Sequence, residues 1–229
     1  MDYFAASLRA ALGLIFSGDA QVWQIVLTSL AISLSAVGLA GLFAVPLGGA
    51  LGMGEFAGKR FLEQFLGSLT ALPTVVVGLF LYGLFSRRGP LGEWGLLYTP
   101  AAVAIGQAVL VLPLIVHLVS TAVQSADPRL GLTLTSLGAG RCQRLKWTLW
   151  ETRVGVVVAL VTGFGRAIGE VGIAMMLGGN IQGLTRTLTT AIALETSKGE
   201  FELGLALGLI LLAVAFLVNG LLTWLRRQS

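Results

Sequence analysis

Residues 163–180 read GFGRAIGEVGIAMMLGGN. Arg166 and Glu170 stand there among glycines and alkyl side chains, late in an apolar run that begins near Val154. What such a pair does depends on the solvent around it, and composition answers that first. Of 229 residues, 55% are hydrophobic and only 11% charged, and the mean hydropathy is +0.87. A soluble domain spends about a quarter of its residues on Asp, Glu, Lys and Arg. A soluble fold of this size has too little interior to hide the apolar surface this chain carries. The bilayer is the fitting solvent, and the length suits one membrane domain.

Charge placement agrees. Residues 20–54, 64–86, 94–126 and 203–225 hold no Asp, Glu, Lys or Arg, with Glu93 and Glu202 just outside two of these runs. Each run reaches the roughly 20 residues that a spanning helix needs. With the segment that opens this section, they predict five spanning helices, at about 22–51, 61–86, 99–124, 154–178 and 203–225. The first is long enough to tilt or to break near Pro46, and Pro73 and Pro113 fall inside the second and third. Small residues four apart, at Gly48/Gly52, Gly165/Gly169 and Gly204/Gly208, suit close helix crossings.

The segment at 3–16, YFAASLRAALGLIF, is short for a span. It places Phe4, Leu8, Leu12 and Ile15 on one face, so residues 1–18 read as an interfacial amphipathic helix preceding a transmembrane domain at 19–229. It lacks the basic start of a signal peptide. Five spans sort nine cations (Lys59, Arg60, Arg129, Arg141, Arg144, Lys146, Arg153, Arg226, Arg227) to one side, against Arg9, Arg87, Arg88, Arg186 and Lys198 on the other. The positive-inside bias puts the nine in the cytoplasm, with the C-terminus and the 125–153 loop, and leaves the N-terminus outside. The excess of basic residues thus reads as an orientation signal rather than a nucleic-acid surface. Cys142 stands alone, which excludes an intrachain disulfide framework and a multi-cysteine metal site.

Inside this envelope Arg166 and Glu170 have two readings. They are a self-neutralising pair between helices, or Arg166 offers its planar donor fork to an oxyanion in a water-filled path and Glu170 holds it when no anion is present. In one continuous helix each charge of this pair would oppose the helix dipole, which weighs against the first reading. Gly163, Gly165, Gly169 and Gly172 would keep the adjoining wall thin. Gln107 and His117 read as internally hydrogen-bonded polar groups. Ser120 lies near His117, but no nucleophile elbow accompanies them, which weighs against an intramembrane hydrolase. No GxxxxGK[ST] occurs, so the chain carries no P-loop nucleotide site.

The segment LTLTSLGAGRCQRLKWTLW, at 132–150, resembles the coupling segment of ABC-importer permeases, in which EAA, three residues and a glycine are followed by I-x-L-P. Gly138 matches the central glycine, and Ala139-Gly140-Arg141 follows as in the oxyanion-transporting branch. Gly131 stands where the family has an acidic residue, Thr133 and Leu134 replace the small pair, and Trp150-Glu151 replaces L-P. GFGRAIGEVGIAMMLGGNIQGLTRTLTTAIALE, at 163–195, is similar to the R-A-x-G-E-x-G…G-N-I…T-x-T-L…A-I signature of molybdate, tungstate and sulfate permeases. ALPTVVVGLFLY, at 71–82, resembles their proline- and valine-rich helix. With the T-L-W-E ending and five spans, the chain is most similar to the tungstate-type members.

The resemblance implies an all-α membrane fold of the type I importer class, located in a prokaryotic cytoplasmic membrane. Two copies would form a pore for a tetrahedral oxyanion, with tungstate expected first and molybdate, sulfate or thiosulfate as alternatives. A gradient-driven anion transporter or channel is the rival from another class. Path residues would be Arg166, Glu170, Gly165, Gly169 and Asn180. Leu132, Thr135, Ser136, Leu137, Gly138, Ala139, Gly140 and Arg141 would dock a cytoplasmic ATPase. An external binding protein would meet loops 87–99 and 178–202. The chain itself would be no enzyme and hold no cofactor or metal; ATP and magnesium would belong to the ATPase.

Overall fold

The computed structural model describes residues 2–227, apart from the side chains of residues 2–6 and 226. Eleven helices follow one another: α1 (Asp2–Phe16), α2 (Ala20–Met53), α3 (Lys59–Leu69), α4 (Thr74–Phe85), α5 (Pro100–Gln124), α6 (Pro128–Ser136), α7 (Arg141–Glu151), α8 (Arg153–Ile168), α9 (Gly172–Gly178), α10 (Leu188–Lys198) and α11 (Phe201–Arg226). A 3₁₀ turn at Gly92–Trp94 separates α4 from α5, and among the described residues no strand occurs. Three helices, α2, α5 and α11, are long and apolar enough to cross a bilayer alone; the bent pairs α3–α4 and α8–α9 raise the number to five if each pair is one span.

Local chemistry sets the helix starts. The Asp19 carboxylate accepts from the Val22 N–H at 3.0 Å, and the Thr99 hydroxyl from the Ala102 N–H at 3.2 Å, with Pro100 in the first turn. Each satisfies a donor that a helix start leaves orphaned. The core is the crossing of α2 with α5 and α8, where Ala36, Ala40, Ala44, Val111, Ile115, Val119 and Ala159 are buried together. Gly48 and Gly52 make that crossing close: a methyl group on either would come within 2.8 Å of the Val116 or Ser120 carbonyl oxygen. Gly204/Gly208 and Gly165/Gly169 make no comparable crossing, since neighbouring atoms lie 3.3 Å or farther from a built methyl group.

Several expectations are corrected. The first span does not break at Pro46, because α2 runs through it without interruption. The 61–86 segment is not one straight helix: α3 and α4 meet at 91°. Pro73, which lacks an N–H and forces Leu72 away from the α region, sits just before α4. The 154–178 segment is also broken, with a 64° bend between α8 and α9. The 178–202 region contains a real helix, α10. Thr187 begins it, with its hydroxyl accepting from the Thr190 N–H at 3.4 Å and its own N–H donating to the Thr190 hydroxyl at 2.9 Å.

The first segment is helical as expected, but its protein-facing side differs. Ser7 and Ala11 are buried, while Leu12 and Phe16 are exposed and Leu8 and Ile15 half-buried. Small residues let α1 lie close to α11. Phe4, assigned to the apolar face, lies outside the described side chains. Following the chain back and forth puts exposed Trp23 and Trp94 at one end of the bundle and exposed Trp147, Trp150 and Trp224 at the other. Two tryptophan belts are the usual mark of the two membrane–water boundaries.

Candidate translocation gate and coupling turn

The break between α8 and α9 is built around Glu170. The Arg166 Nη1 donates to Glu170 Oε2 at 2.9 Å, and the other carboxylate oxygen accepts from the Ile173 N–H at 3.3 Å. Glu170 is buried, whereas the Arg166 side chain remains 37% exposed. Because the helix stops at Ile168, the expected dipole conflict disappears. Arg166 lies in the last turn of α8 and Glu170 at the entrance to α9. Each charge now occupies the helix end that favours its sign. The same i,i+4 spacing that is unfavourable in a continuous helix is favourable across the break.

Neighbouring elements fix the break. The Thr189 hydroxyl donates to the Glu170 carbonyl at 2.7 Å. The Ser29 hydroxyl of α2 accepts from the Leu188 N–H at 2.6 Å, so the start of α10 is tied to both α2 and the break. A methyl group on Gly172 would come within 3.1 Å of the Thr74 hydroxyl and 3.3 Å of Glu170 Oε1, so the entrance to α9 is narrow. Gly163 is buried against Ile115, while Gly165 and Gly169 are exposed on the flank that also leaves Arg166 open. Thr189 and Ser29 were not singled out from sequence. The signal was the run of threonines at 185–190, hydroxyls whose place inside a membrane domain calls for partners. Thr189→Val is expected to lower unfolding stability by about 1–3 kcal/mol, the loss for an orphaned buried carbonyl. Thr189→Ser should keep it, with thermal melting in detergent as the measurement.

Asn180 does not join Arg166 and Glu170. It sits in the turn after α9 with left-handed backbone (φ +53°), and its Nδ2 donates to the Thr190 carbonyl at 3.4 Å. Its carbonyl accepts from Arg186 Nη2 at 3.5 Å. Its link to Glu170 is indirect, through the first turn of α10. Close by, Glu195 is buried between Lys198, at 3.1 Å, and Arg186, at 3.9 Å. The two end loops also touch: the Tyr98 N–H donates to the Leu177 carbonyl at 2.8 Å, and the Tyr98 ring covers Gly179.

At the other end of the bundle, α6 and α7 form a helical hairpin. The Asp127 carboxylate caps α6 by accepting from the Arg129 N–H at 2.8 Å, with Pro128 in the first turn. The helix stops in a Schellman turn: the Ala139 N–H donates to the Leu134 carbonyl at 2.9 Å and the Gly138 N–H to that of Thr135 at 3.0 Å. Gly138 holds the left-handed position of this turn, with φ +73° and no atom near where a side chain would stand. Gln143 Oε1 accepts from the Gly140 N–H at 2.9 Å to start α7, beginning at Arg141. Arg144 Nη1 reaches the Thr135 hydroxyl at 3.4 Å. Leu132 and Leu137 are 72% and 77% exposed, and Ser136 and Thr135 are exposed beside them. Two large leucines thus stand exposed on an otherwise polar hairpin.

A helical membrane bundle with a charged break between two helices and a polar hairpin with exposed leucines at one end has the parts of a transport subunit. The family model for the binding-protein-dependent transport system inner membrane component matches residues 44–228, and the chain belongs to that family. It is 40% identical over 228 residues to the tungstate uptake system permease protein TupB of Peptoclostridium acidaminophilum, covering all of both chains. It is 34% identical over 223 residues to the molybdenum transport system permease protein ModB of Escherichia coli (strain K12), covering 90% of this chain and 94% of that one. With the sulfate transport system permease protein CysT of the same strain, identity falls to 28% over 185 residues, 78% of this chain and 67% of the other. A crystal structure of an amino acid ABC transporter with histidines shares the fold, with a TM-score of 0.63 at 16% identity, over 94% of this chain and 97% of that one.

Proposed function

We propose that this chain is the permease subunit of an ATP-driven importer of tungstate. The observation that carries the substrate is the end-to-end 40% identity to a tungstate permease, set against the lower identities to the molybdenum and sulfate permeases. The geometry supports an oxyanion path. A half-open guanidinium, about 20 Å along α8 from its start, offers donors suited to a tetrahedral dianion, and its buried carboxylate partner restrains it between passages. A second copy of the chain would cover the flank of Gly165, Gly169 and Arg166 and complete the conduit. The chain then crosses the membrane five times, with α4 carrying it outward from the level of α3 and with α1 at the outer interface.

In this reading the α6–α7 hairpin faces the cytoplasm. There its exposed Leu132 and Leu137 seat in an ATPase subunit, which supplies the bound ATP and magnesium. The opposite end, where Tyr98 joins the 87–99 loop to the start of the 178–202 region, receives an external binding protein. ATP binding draws the two hairpins together and opens the pore outward; hydrolysis reverses it. Selectivity rests largely in the binding protein, because a pore that held the anion tightly would not release it. The experiment is uptake into cells lacking their own tungstate and molybdate importers, supplied with this chain, its ATPase and its binding protein. Tungstate accumulation that excess molybdate competes poorly is expected. Sulfate uptake insensitive to tungstate would overturn the assignment.

A further inference from the structure

Helix α3 makes a right angle with α4 and none of its residues is fully buried. At 11 residues it is about 16 Å long, half of the hydrocarbon thickness. Its surface divides lengthwise into three strips. Lys59, Glu63, Leu66 and Gly67 are half-buried. Leu66 packs on the α2–α5 core, and Glu63 Oε1 accepts from Gln124 Nε2 of α5 at 2.7 Å. Arg60, Gln64 and Ser68, four residues apart, form an exposed polar strip. Phe61, Leu62 and Phe65 form an exposed apolar strip with half-buried Leu69 at its end, and the two phenylalanine rings stack at 6.5 Å between centroids. Phe61 is 75% exposed.

Inside the bilayer the polar strip would need water alongside it, and a helix at a right angle to α4 and half the hydrocarbon thickness in length does not continue the α4 span. A helix facing water all round would not expose the phenylalanines. One strip on protein, one polar and one apolar is the division of a helix lying at the membrane surface. We propose that α3 lies flat in the headgroup boundary of the leaflet at the α6–α7 end, with Phe61, Leu62 and Phe65 among the acyl chains and Arg60 against lipid phosphates. The acidic groups of this stretch are already engaged: Glu55 with Lys59 at 3.2 Å and Glu63 with Gln124. Arg60, by contrast, enters no ion pair among the described residues, which leaves its charge for an anionic headgroup. The lipid surface would then hold α3 while its polar anchor holds α5, and α4 rises from it through Pro73. The identity of that leaflet rests on the orientation proposed above.

The test uses the full chain with Cys142→Ser and single spin labels at 60, 61, 64 and 65, reconstituted in vesicles of phosphatidylethanolamine and phosphatidylglycerol. Labels at 61 and 65 are expected to show a several-fold higher ratio of oxygen to nickel-chelate accessibility than those at 60 and 64, at shallow depth. Labels at all four positions reading mid-bilayer depth would overturn the proposal in favour of a spanning segment. Labels at 61 and 65 shielded from both reagents would overturn it in favour of a protein partner, a second copy included. The side of the membrane is read separately, from labelling of native Cys142, so a wrong orientation and a wrong placement of α3 give different results.

Discussion

Arg166→Ala is expected to reduce tungstate uptake by roughly 100-fold, while the chain still reaches the membrane and co-purifies with its ATPase. The expectation rests on the 2.9 Å pair with Glu170, a carboxylate that is 4% exposed. Removing one partner of a fully enclosed ion pair costs about 3–5 kcal/mol. Here the loss is smaller, because Arg166 is open over more than a third of its side chain and solvent screens it. The folded state should therefore survive and transport should fail. Glu170→Gln keeps an acceptor for the Ile173 N–H and is expected to lower uptake less. Arg166→Lys keeps the charge without the planar fork and should fall between. Measurement is by initial uptake rate at equal amounts of membrane protein. Normal uptake with Arg166→Ala would make the pair a structural lock and nothing more.

The second large effect is expected at Gly138. Gly138→Val should leave binding-protein-stimulated ATP hydrolysis and uptake no longer proportional, with uptake falling most. No neighbour lies within 4 Å of the place where the new side chain would stand, so crowding is not the cause. The backbone is: a β-branched residue at φ +73° costs about 1–2 kcal/mol or more. Relaxing it would break the two hydrogen bonds that end α6. The angle of Leu132 and Leu137 to α7 changes with it. Gly138→Asn, which tolerates left-handed backbone, should retain most of the coupling. Equal behaviour of the valine and asparagine variants would sink this explanation. Intact uptake in both would remove the turn from the coupling path.

The long helices were legible because charge-free runs follow membrane thickness. α5 spans Pro100–Gln124 where 99–124 was expected, and α11 spans Phe201–Arg226 where 203–225 was. The two bends were not legible, since neither the single glutamate of Gly169–Val171 nor the proline of Thr70–Pro73 ends the apolar stretch it stands in. What marks the first bend is a capping interaction from Glu170 to Ile173, which sequence shows only as spacing. Prolines misled in two directions: Pro46, a place for a break, leaves α2 continuous, and Pro73, placed inside a span, starts α4, whereas Pro113 lies inside continuous α5 as expected. α10 was hidden because its buried residues mix Leu188 and Ala191 with the polar Thr189, Thr190 and Glu195. For the same reason Arg166 and Glu170 were correctly paired from sequence, while Asn180 was placed with them and lies apart. The turn at Gly138 was legible through the resemblance to the coupling segment, whose central glycine it matches, and few residues but glycine take that backbone without penalty.

Gly78 and Gly106 bear on how this subunit can move. A methyl on Gly106 would strike Ile173 and Leu177 at 2.6 Å or less, and one on Gly78 would meet Met176 at 3.0 Å. The seven residues of α9 are thus keyed into α4 and α5 like teeth in a rack, whereas α8 lies on the far side of the kink against α2, α5 and α11. Any rocking of α4 against α5 is felt at α9, which is keyed into both, and the three residues between Ile168 and Gly172, Glu170 among them, must take up the difference.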